Sequence, residues 1–195
     1  MGIGNGVAFI TEGTRVAELC IALARRGSRI GFTYGEDVNI ADRIAKEAEA
    51  AGSEAVACPV KNLSARDLSA AIVETAERFG GLDTLIYASG FQRPQSDGEL
   101  ILDLDEEDWD DAMNSGPKGF FLSCKYALPY LISSQSAGII ALDATPEGSN
   151  IATHSASRAL RAAAEYLSDE SSQYGISVTC LKIADDDWMM RVACG

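Results

Sequence analysis

A histidine and an arginine lie four positions apart late in the chain, so they would share one face of a helix. His154 is the only histidine among the 195 residues, and Arg158 follows it at the i, i+4 spacing. Imidazole exchanges a proton near neutral pH, which makes His154 a candidate general acid or base, and Thr145 adds a hydroxyl to the set. The structural alternative is that His154 bonds a backbone carbonyl at a helix start while Arg158 pairs with a surface carboxylate.

The composition is that of one folded, acidic domain. The chain is 47% hydrophobic and 23% charged, with 18 Gly and 5 Pro, which excludes a disordered or collagen-like protein. We expect residues 1–195 to form a single domain. The chain has 29 acidic and 16 basic residues, a net charge of −13. Because such a surface repels phosphate backbones and anionic lipid, the sequence predicts neither a nucleic-acid partner nor a membrane partner.

The five cysteines are scattered and form no Cys-x-x-Cys pair. We therefore expect reduced thiols in apolar settings and no metal site or disulfide framework. No apolar run approaches the roughly 18 residues of a membrane-spanning helix, and the N-terminus lacks the basic and apolar regions of a signal peptide. These features predict a cytoplasmic protein.

Short apolar runs alternate with amphipathic stretches along the whole chain. We predict strands at residues 6–11, 29–34, 54–60, 83–88, 138–143 and 176–183. We predict helices at residues 15–26, 39–51, 64–79, 106–133 and 155–174. The helix over 106–133 should be interrupted at Gly116-Pro117, because proline removes a backbone donor. Apolar strands separated by helices indicate a doubly wound parallel sheet of about six strands, a Rossmann-like three-layer α/β/α fold.

Several segments, taken in this order, resemble the short-chain dehydrogenase/reductase family. Residues 6–15 and 21–29 resemble its first strand, turn and helix, and residues 78–90 resemble its fourth strand with the Asn-Asn-Ala-Gly ending. Trp109, Lys118-Gly119 and residues 154–158 fall where the catalytic helices of the family lie. The resemblance covers nearly the whole chain, and it implies that fold and descent from NAD(P)-dependent enzymes.

The turn that holds the cofactor phosphates in the family departs from its pattern here. The family has Thr-Gly-x-x-x-Gly-x-Gly, whose glycines bring the backbone and a helix N-terminus close to the pyrophosphate. This chain has Thr11, Glu12, Gly13 and Arg15, in a turn about two residues shorter. A carboxylate ~4 Å from a phosphate at an effective dielectric constant of ~20 is repelled by about 4 kcal/mol. Arg15 could answer that charge, bind a phosphate, or simply be solvated. We expect cofactor binding by this chain to be lost.

The adenine side of the implied cofactor site departs from the family as well. The acidic residue that holds the adenine in the family is replaced by Pro59. Asn62 offers an amide nearby, or it caps the loop before the next helix. Gly90 keeps the tight backbone after the fourth strand, whereas Tyr87 replaces a small amide, and its ring is expected to fill the cleft from within.

All four catalytic residues of the family are replaced. The resemblance puts His154 at the position of the family's tyrosine and Arg158 at that of its lysine. Thr145 stands at the serine position and Gly116 at the asparagine position. A tyrosine needs a neighbouring cation to exchange protons at neutral pH, so the family's mechanism cannot operate unchanged. We expect no catalytic residue of the family type, although an atypical enzyme that uses His154, Arg158 and Thr145 remains an alternative.

The C-terminal part also differs from the family, whose members continue into lid helices and a seventh strand. Ile183-Ala184 replaces the family's Pro-Gly turn, and the sequence ends at Gly195, about 50 residues earlier than the family architecture. We expect the lid helices and seventh strand to be missing. The apolar residues 188–190 in the tail 185–195 would either dock on a partner or fold back on the sheet edge.

The helices over 106–133 and 155–174 keep apolar faces, and in the family these two helices build the main dimer contact. The resemblance therefore implies that the chain pairs with an active homologue or with itself through them. Nine carboxylates lie between Asp97 and Asp111. They are typical of a solvated loop and helix start, and the alternative is docking to a basic partner surface.

Three functional hypotheses follow. The first is a non-catalytic subunit that pairs with an active short-chain dehydrogenase in a hetero-oligomeric oxidoreductase, with NAD(P) bound only by the partner. The family contains such mixed oligomers, for example the two-subunit hydroxyacyl-CoA dehydrogenase of the anaerobic benzylsuccinate (toluene) pathway. The second is an atypical oxidoreductase that uses His154, Arg158 and Thr145. The third is a ligand-sensing regulatory module that keeps a remnant cleft.

Overall fold

A parallel sheet runs through the part of the chain that the computed structural model describes, residues 5–60, 64–89, 100–146, 148–183 and 192. Within these residues the strands are β1 (Val7–Ile10), β2 (Arg29–Tyr34), β3 (Ala55–Pro59), β4 (Thr84–Ser89), β5 (Gly138–Asp143) and β6 (Ser177–Lys182). They lie in the order β3-β2-β1-β4-β5-β6, and every neighbouring pair is parallel. The strand order reverses between β1 and β4, and α/β sheets bind ligands outside the carboxyl ends of the strands at such a point.

Helices cover both faces of the sheet. The described α-helices are α1 (Ala17–Arg25), α2 (Val38–Ala50), α3 (Ala65–Phe79), α4 (Glu106–Met113), α5 (Gly119–Leu131) and α6 (Ile151–Ser171). Side chains of α1 and α2 form one apolar cluster with the sheet, and side chains of α3, α5 and α6 form a second on the opposite face. Val192, the one described residue of the tail, is buried in the first cluster. The predicted Rossmann-like, three-layer α/β fold is confirmed.

The predicted interruption of the long helix separates α4 from α5. A π-turn spans Asn114–Lys118, and Gly116 within it has non-helical dihedral angles, φ −94° and ψ −107°. Pro117 follows directly and has no N–H to donate to the preceding turn. The helix predicted over 106–133 is therefore two helices joined by a bulge.

The predicted start of α6 is four residues late. The helix begins at Ile151 because Asn150 caps it, accepting the backbone N–H of Thr153 on Oδ1 at 3.0 Å. It ends at Ser171 and continues into a short 3-10 turn over Ser172–Tyr174. An asparagine before a helical stretch is a helix-start signal, which the predicted start at residue 155 leaves out of account.

Gly31 permits the close approach of α3 to β2. A Cβ atom at this position would overlap with Oγ1 and Cγ2 of Thr75 and would lie 2.7 Å from its Cβ. Thr75 is itself fully buried, and its hydroxyl donates to the carbonyl of Ala71 at 2.9 Å. The strand and the helix therefore have no room for a side chain between them.

Replacing Gly31 with alanine is expected to lower the free energy of unfolding by roughly 1–3 kcal/mol, because the extra methyl group overpacks this contact. Gly35→Ala is the matched control, since nothing in the described part of the chain lies within 4 Å of a Cβ there. Urea unfolding followed by circular dichroism measures both variants. Equal stability of the two would contradict the close packing of α3 on β2.

Candidate functional site

The carboxyl ends of β1 and β4 flank the strand-order reversal, and those of β5 and β6 follow along the same edge of the sheet. This edge carries residues singled out in the sequence together with two that were not, Asp143 and Lys182. Thr11 and Glu12 follow β1, Tyr87 lies near the end of β4, Asp143 ends β5 and Lys182 ends β6. Asn62 and Gly90 lie outside the described residues.

Thr11 joins β1 to β4 and is fully buried. Its backbone N–H donates to the carbonyl of Ile86 at 3.0 Å, and its Oγ1 accepts the N–H of Ala88 at 2.9 Å. The first bond extends the β1–β4 pairing by one residue, and the second joins the Thr11 side chain to the backbone of β4. Thr11 thus fixes the start of the turn after β1 against β4.

Glu12, which the resemblance aligns with a glycine of the family, has a left-handed backbone conformation, φ 50° and ψ 42°. Such a conformation costs a non-glycine residue about 1–2 kcal/mol. Its N–H donates to Oγ1 of Thr33 at 2.7 Å, and its Oε2 lies 3.8 Å from Nε of Arg15. The Glu12 side chain is only 14% exposed, against 43% for Arg15. Of the alternatives weighed for Arg15, the structure contains the ion pair with Glu12.

Gly13 begins a 3-10 turn, Gly13–Val16, that leads into α1. A Cβ atom at Gly13 would lie 2.6 Å from Cβ of Phe32 on β2. The glycine is therefore required for close packing of the turn against β2. One glycine of the dinucleotide-binding pattern likewise permits close packing of the helix on the strand.

Tyr87 is buried between β4 and α5 instead of filling the cleft as expected. Its ring makes an edge-to-face contact with Phe120, with the centroids 5.7 Å apart, and its hydroxyl donates to the carbonyl of Ser115 at 2.5 Å. Burial first, and then the charge of Glu12, raise the pKa of the Tyr87 hydroxyl well above its usual value. Alternate residues of a strand face opposite sides of the sheet. Tyr87 therefore faces the side covered by α5, where its ring lies in the core and its hydroxyl contacts the bulge between α4 and α5.

The four positions that the resemblance aligns with the family's catalytic residues differ in their burial. Gly116 is buried in the bulge, where a Cβ atom would lie 3.2 Å from Cβ of Ala156 on α6. Thr145 is buried beyond β5, whereas His154 and Arg158 are both exposed on α6. The shared face predicted for His154 and Arg158 is therefore present, but it is turned to solvent.

The structural alternative for the His154 side chain stays a prediction. The backbone N–H of His154 makes the ordinary helical bond to the carbonyl of Asn150, at 2.9 Å, in the first turn of α6. No carboxylate within the described ranges forms an ion pair with Arg158.

A carboxylate that the sequence analysis missed is the centre of this end of the sheet. Asp143 is fully buried, and its Oδ2 accepts the hydroxyl of Ser157 at 2.7 Å and two N–H groups of Arg161 at 3.1 and 2.9 Å. Its Oδ1 accepts the backbone N–H of Thr145 at 3.0 Å. Nζ of Lys182 lies 3.9 Å from Oδ2 and donates to the carbonyl of Thr145. We call these five residues the Asp143 cluster.

The Asp143 cluster keeps its carboxylate charged. Burial by itself raises the pKa of Asp143, but hydrogen bonds from Thr145, Ser157 and Arg161 outweigh it, and the pKa lies below its usual value. The available signal was an aspartate ending an apolar strand, with Ser157 and Arg161 one helical turn apart.

The described cysteines offer no nucleophile at this edge. Cys20, Cys58 and Cys124 are buried and Cys180 is partly buried, and all four are free thiols. Burial raises the pKa of each, to about 12 for Cys58 and about 11 for Cys180. All four stay protonated at neutral pH. The prediction of free thiols is confirmed for these four, but Sγ of Cys58 lies 3.8 Å from a carboxylate oxygen of Glu74, and Cys180 lies among charged side chains, so these two settings are not purely apolar. Cys194 lies outside the described residues.

Replacing Asp143 with asparagine is expected to lower the free energy of unfolding by about 3 kcal/mol at pH 7, because Arg161 loses its buried partner. The folded-state pKa lies below the unfolded one, so the carboxylate stabilises the fold above about pH 4. That stabilisation is lost as the pH falls through the folded pKa. Urea titrations from pH 7 to pH 2 should show the difference between wild type and Asp143→Asn narrowing in acid.

Two arginine variants on α6 provide the control for this prediction. Arg161→Ala should destabilise the protein as well, whereas Arg158→Ala, exposed on the same helix, should stay within about 0.5 kcal/mol of wild type. A difference between wild type and Asp143→Asn that is independent of pH would contradict the role given to the Asp143 carboxylate.

Every helix within the described residues is too short or too polar to cross a lipid bilayer. The His, Cys, Asp and Glu side chains of these residues form no cluster of three or more that could hold a metal ion.

Solved structures share this fold. An acetoin dehydrogenase from Enterobacter cloacae superposes with a TM-score of 0.79 at 24% identity, over 90% of this chain and 73% of its own. A short-chain dehydrogenase/reductase from Serratia marcescens superposes with a TM-score of 0.80 at 20% identity, over 93% of this chain and 74% of its own. At these identities the likeness establishes the architecture alone.

Proteins of similar sequence extend the comparison from the fold to the family. The 3-oxoacyl-[acyl-carrier-protein] reductase FabG of Staphylococcus aureus is 28% identical over 137 residues, 69% of this chain and 54% of that protein. The hydroxynaphthalene reductase arp2 of Aspergillus fumigatus is 26% identical over 147 residues, 70% of this chain and 52% of that protein. The chain thus spans about half the length of the curated relatives it matches. A family model described as enoyl-(acyl carrier protein) reductase matches residues 13–182. The resemblance found in the sequence is confirmed: the chain belongs to the short-chain dehydrogenase/reductase family.

Proposed function

We propose that this chain is a non-catalytic subunit that pairs with an active short-chain dehydrogenase in a hetero-oligomeric NAD(P)-dependent oxidoreductase. The observation that carries the proposal is the Asp143 cluster. Thr145, at the family's serine position, is buried, and both its backbone N–H and its hydroxyl bond the Asp143 carboxylate. His154 and Arg158 are exposed on α6. A hydroxyl engaged in this way is poorly placed to orient a substrate carbonyl for an imidazole on the helix surface.

The turn after β1 supports assignment of the cofactor to the partner. The family binds NAD(P), and its glycine-rich turn presents backbone N–H groups to the pyrophosphate. Here Glu12 brings a largely buried carboxylate into that turn, and Arg15 pairs with it. Because a carboxylate repels phosphate while Arg15 is already engaged, these residues do not fit the pyrophosphate. We therefore assign no step of a reaction to a cofactor held by this chain.

Exposed aromatic side chains on α5 and α6 support association through these helices. Phe121 on α5 is 58% exposed and Tyr166 on α6 is 72% exposed, although both helices bury their other faces against the same side of the sheet. Large aromatic residues are enriched at protein interfaces, where they contribute much of the binding energy. We propose that the helices within residues 106–133 and 155–174 form the contact with an active homologue.

Phe121→Asp combined with Tyr166→Asp is expected to weaken the complex at least about tenfold, because two charges would be buried in the contact. Val38→Asp is the matched control, since Val38 is 52% exposed on α2, which covers the opposite face of the sheet. Co-expression with short-chain dehydrogenases of the same organism, followed by light scattering of the purified complexes, measures the effect. A folded monomer that binds none of them would contradict the proposed role.

A second candidate is an atypical oxidoreductase that uses His154, Arg158 and Thr145. It is favoured by the relatives themselves, which are reductases. The two candidates predict different results for a variant of His154 and therefore can be separated.

His154→Ala is expected to leave the oxidoreductase turnover of the assembled complex unchanged within about twofold, because the imidazole is exposed on α6. Turnover is followed as oxidation of NADH or NADPH with a 3-oxoacyl thioester as the trial substrate. Arg158→Ala serves as the companion variant. A loss of about a hundredfold or more in a folded His154→Ala complex would establish the atypical enzyme instead.

A further inference from the structure

Three consecutive aliphatic side chains shortly before α4 are exposed to solvent. Leu100 is 67% exposed, Ile101 68% and Leu102 90%. Single exposed aliphatic residues are ordinary on a protein surface, but adjacent ones form a patch that favours contact with another molecule. Trp109 on α4 is also 41% exposed, which adds an aromatic side chain close by in the chain.

Carboxylates follow this aliphatic triplet without any basic residue among them. Seven acidic residues and no lysine or arginine lie between positions 103 and 111. Asp105 and Asp108 are used by the capping box that begins α4. The remaining five are exposed, and none forms an ion pair with a basic residue of the described part of the chain; they are Asp103, Glu106, Glu107, Asp110 and Asp111.

Asp110 and Asp111 extend the negative charge beyond the residues that cap α4. They lie in the last turn of Glu106–Met113, outside the capping box of Asp105 and Asp108. Both are exposed and form no ion pair with a basic residue of the described part of the chain. Capping therefore does not account for their charge, which is complementary to a positive surface on another molecule.

We propose that residues 100–111, the acidic-apolar segment, bind a protein partner that presents an apolar face bordered by lysine and arginine, such as a basic amphipathic helix. Charge complementarity selects this occupant. A second copy of this acidic chain, a nucleic acid and an anionic membrane would all be repelled by the carboxylates. The inference does not depend on the proposed pairing with a homologous dehydrogenase.

Titration calorimetry of the whole chain with two synthetic helical peptides tests the proposal. One peptide carries leucine at positions i, i+3, i+4 and i+7 with lysine elsewhere, and the other carries alanine at those positions with the same charge. We expect the leucine peptide to bind at least about tenfold more tightly, and both affinities to fall as salt rises. Equal affinity of the two peptides would overturn the role of the aliphatic triplet.

The triple variant Leu100→Ser, Ile101→Ser and Leu102→Ser locates the apolar part of the contact. It should lower the affinity for the leucine peptide at least about tenfold and leave the affinity for the alanine peptide within about twofold. These side chains are exposed, so the melting temperature is expected to stay close to that of wild type. Unchanged binding of the leucine peptide would contradict the proposal.

Replacing aspartates with asparagine distinguishes a local effect of the acidic-apolar segment on peptide binding from an effect of the net charge of −13. Asp110→Asn with Asp111→Asn should weaken the leucine peptide about fivefold or more. Asp37→Asn with Asp42→Asn makes the same change of net charge on exposed residues at α2 and should stay within about twofold of wild type. Equal weakening by both pairs would overturn the proposal, because binding would then follow net charge alone.

Discussion

The contact between the buried carboxylate of Asp143 and the guanidinium of Arg161 determines how the carboxyl edge of this sheet is organised. A buried carboxylate is tolerated only when charged and polar partners satisfy it, and here Arg161, Ser157 and Thr145 do so together. These partners tie the end of β5 to the middle of α6. They also determine the position of Thr145 and, through its carbonyl, of Lys182 at the end of β6. The Asp143 cluster thus braces the ends of β5 and β6 against α6.

The alternation of apolar strands and amphipathic helices was sufficient to predict the sheet, its crossovers and the break at Gly116-Pro117, because these depend on local periodicity. The Asp143 cluster was missed since it joins residues up to 39 positions apart, Asp143 and Lys182, which only the folded sheet brings together. The orientation of Tyr87 also depended on which side of β4 faces α5. The local sequence pattern thus predicted the strands and helices, whereas the polar contacts at the carboxyl edge of the sheet could be identified only in the folded structure.

Membership of a family and performance of its chemistry are separate matters in this chain. The family match extends over residues 13–182, and the same sheet order and strand-order reversal are present. Function depends on the side chains at the carboxyl edge of the sheet, where Glu12 and Thr145 lie, and on His154, which is exposed on α6. The proposed role as a partner subunit rests on these replacements together with the exposed aromatic side chains of α5 and α6.

Titration of the purified chain with NADH and with NADPH, following cofactor fluorescence and melting temperature together, tests the central claim most directly. The arrangement of Glu12 and Arg15 predicts no change in either signal up to millimolar cofactor, because a carboxylate occupies the phosphate turn. Saturable binding in the micromolar range, with a rise in melting temperature, would contradict the account. It would show that the turn after β1 still holds a dinucleotide and that this chain can take part in redox chemistry itself.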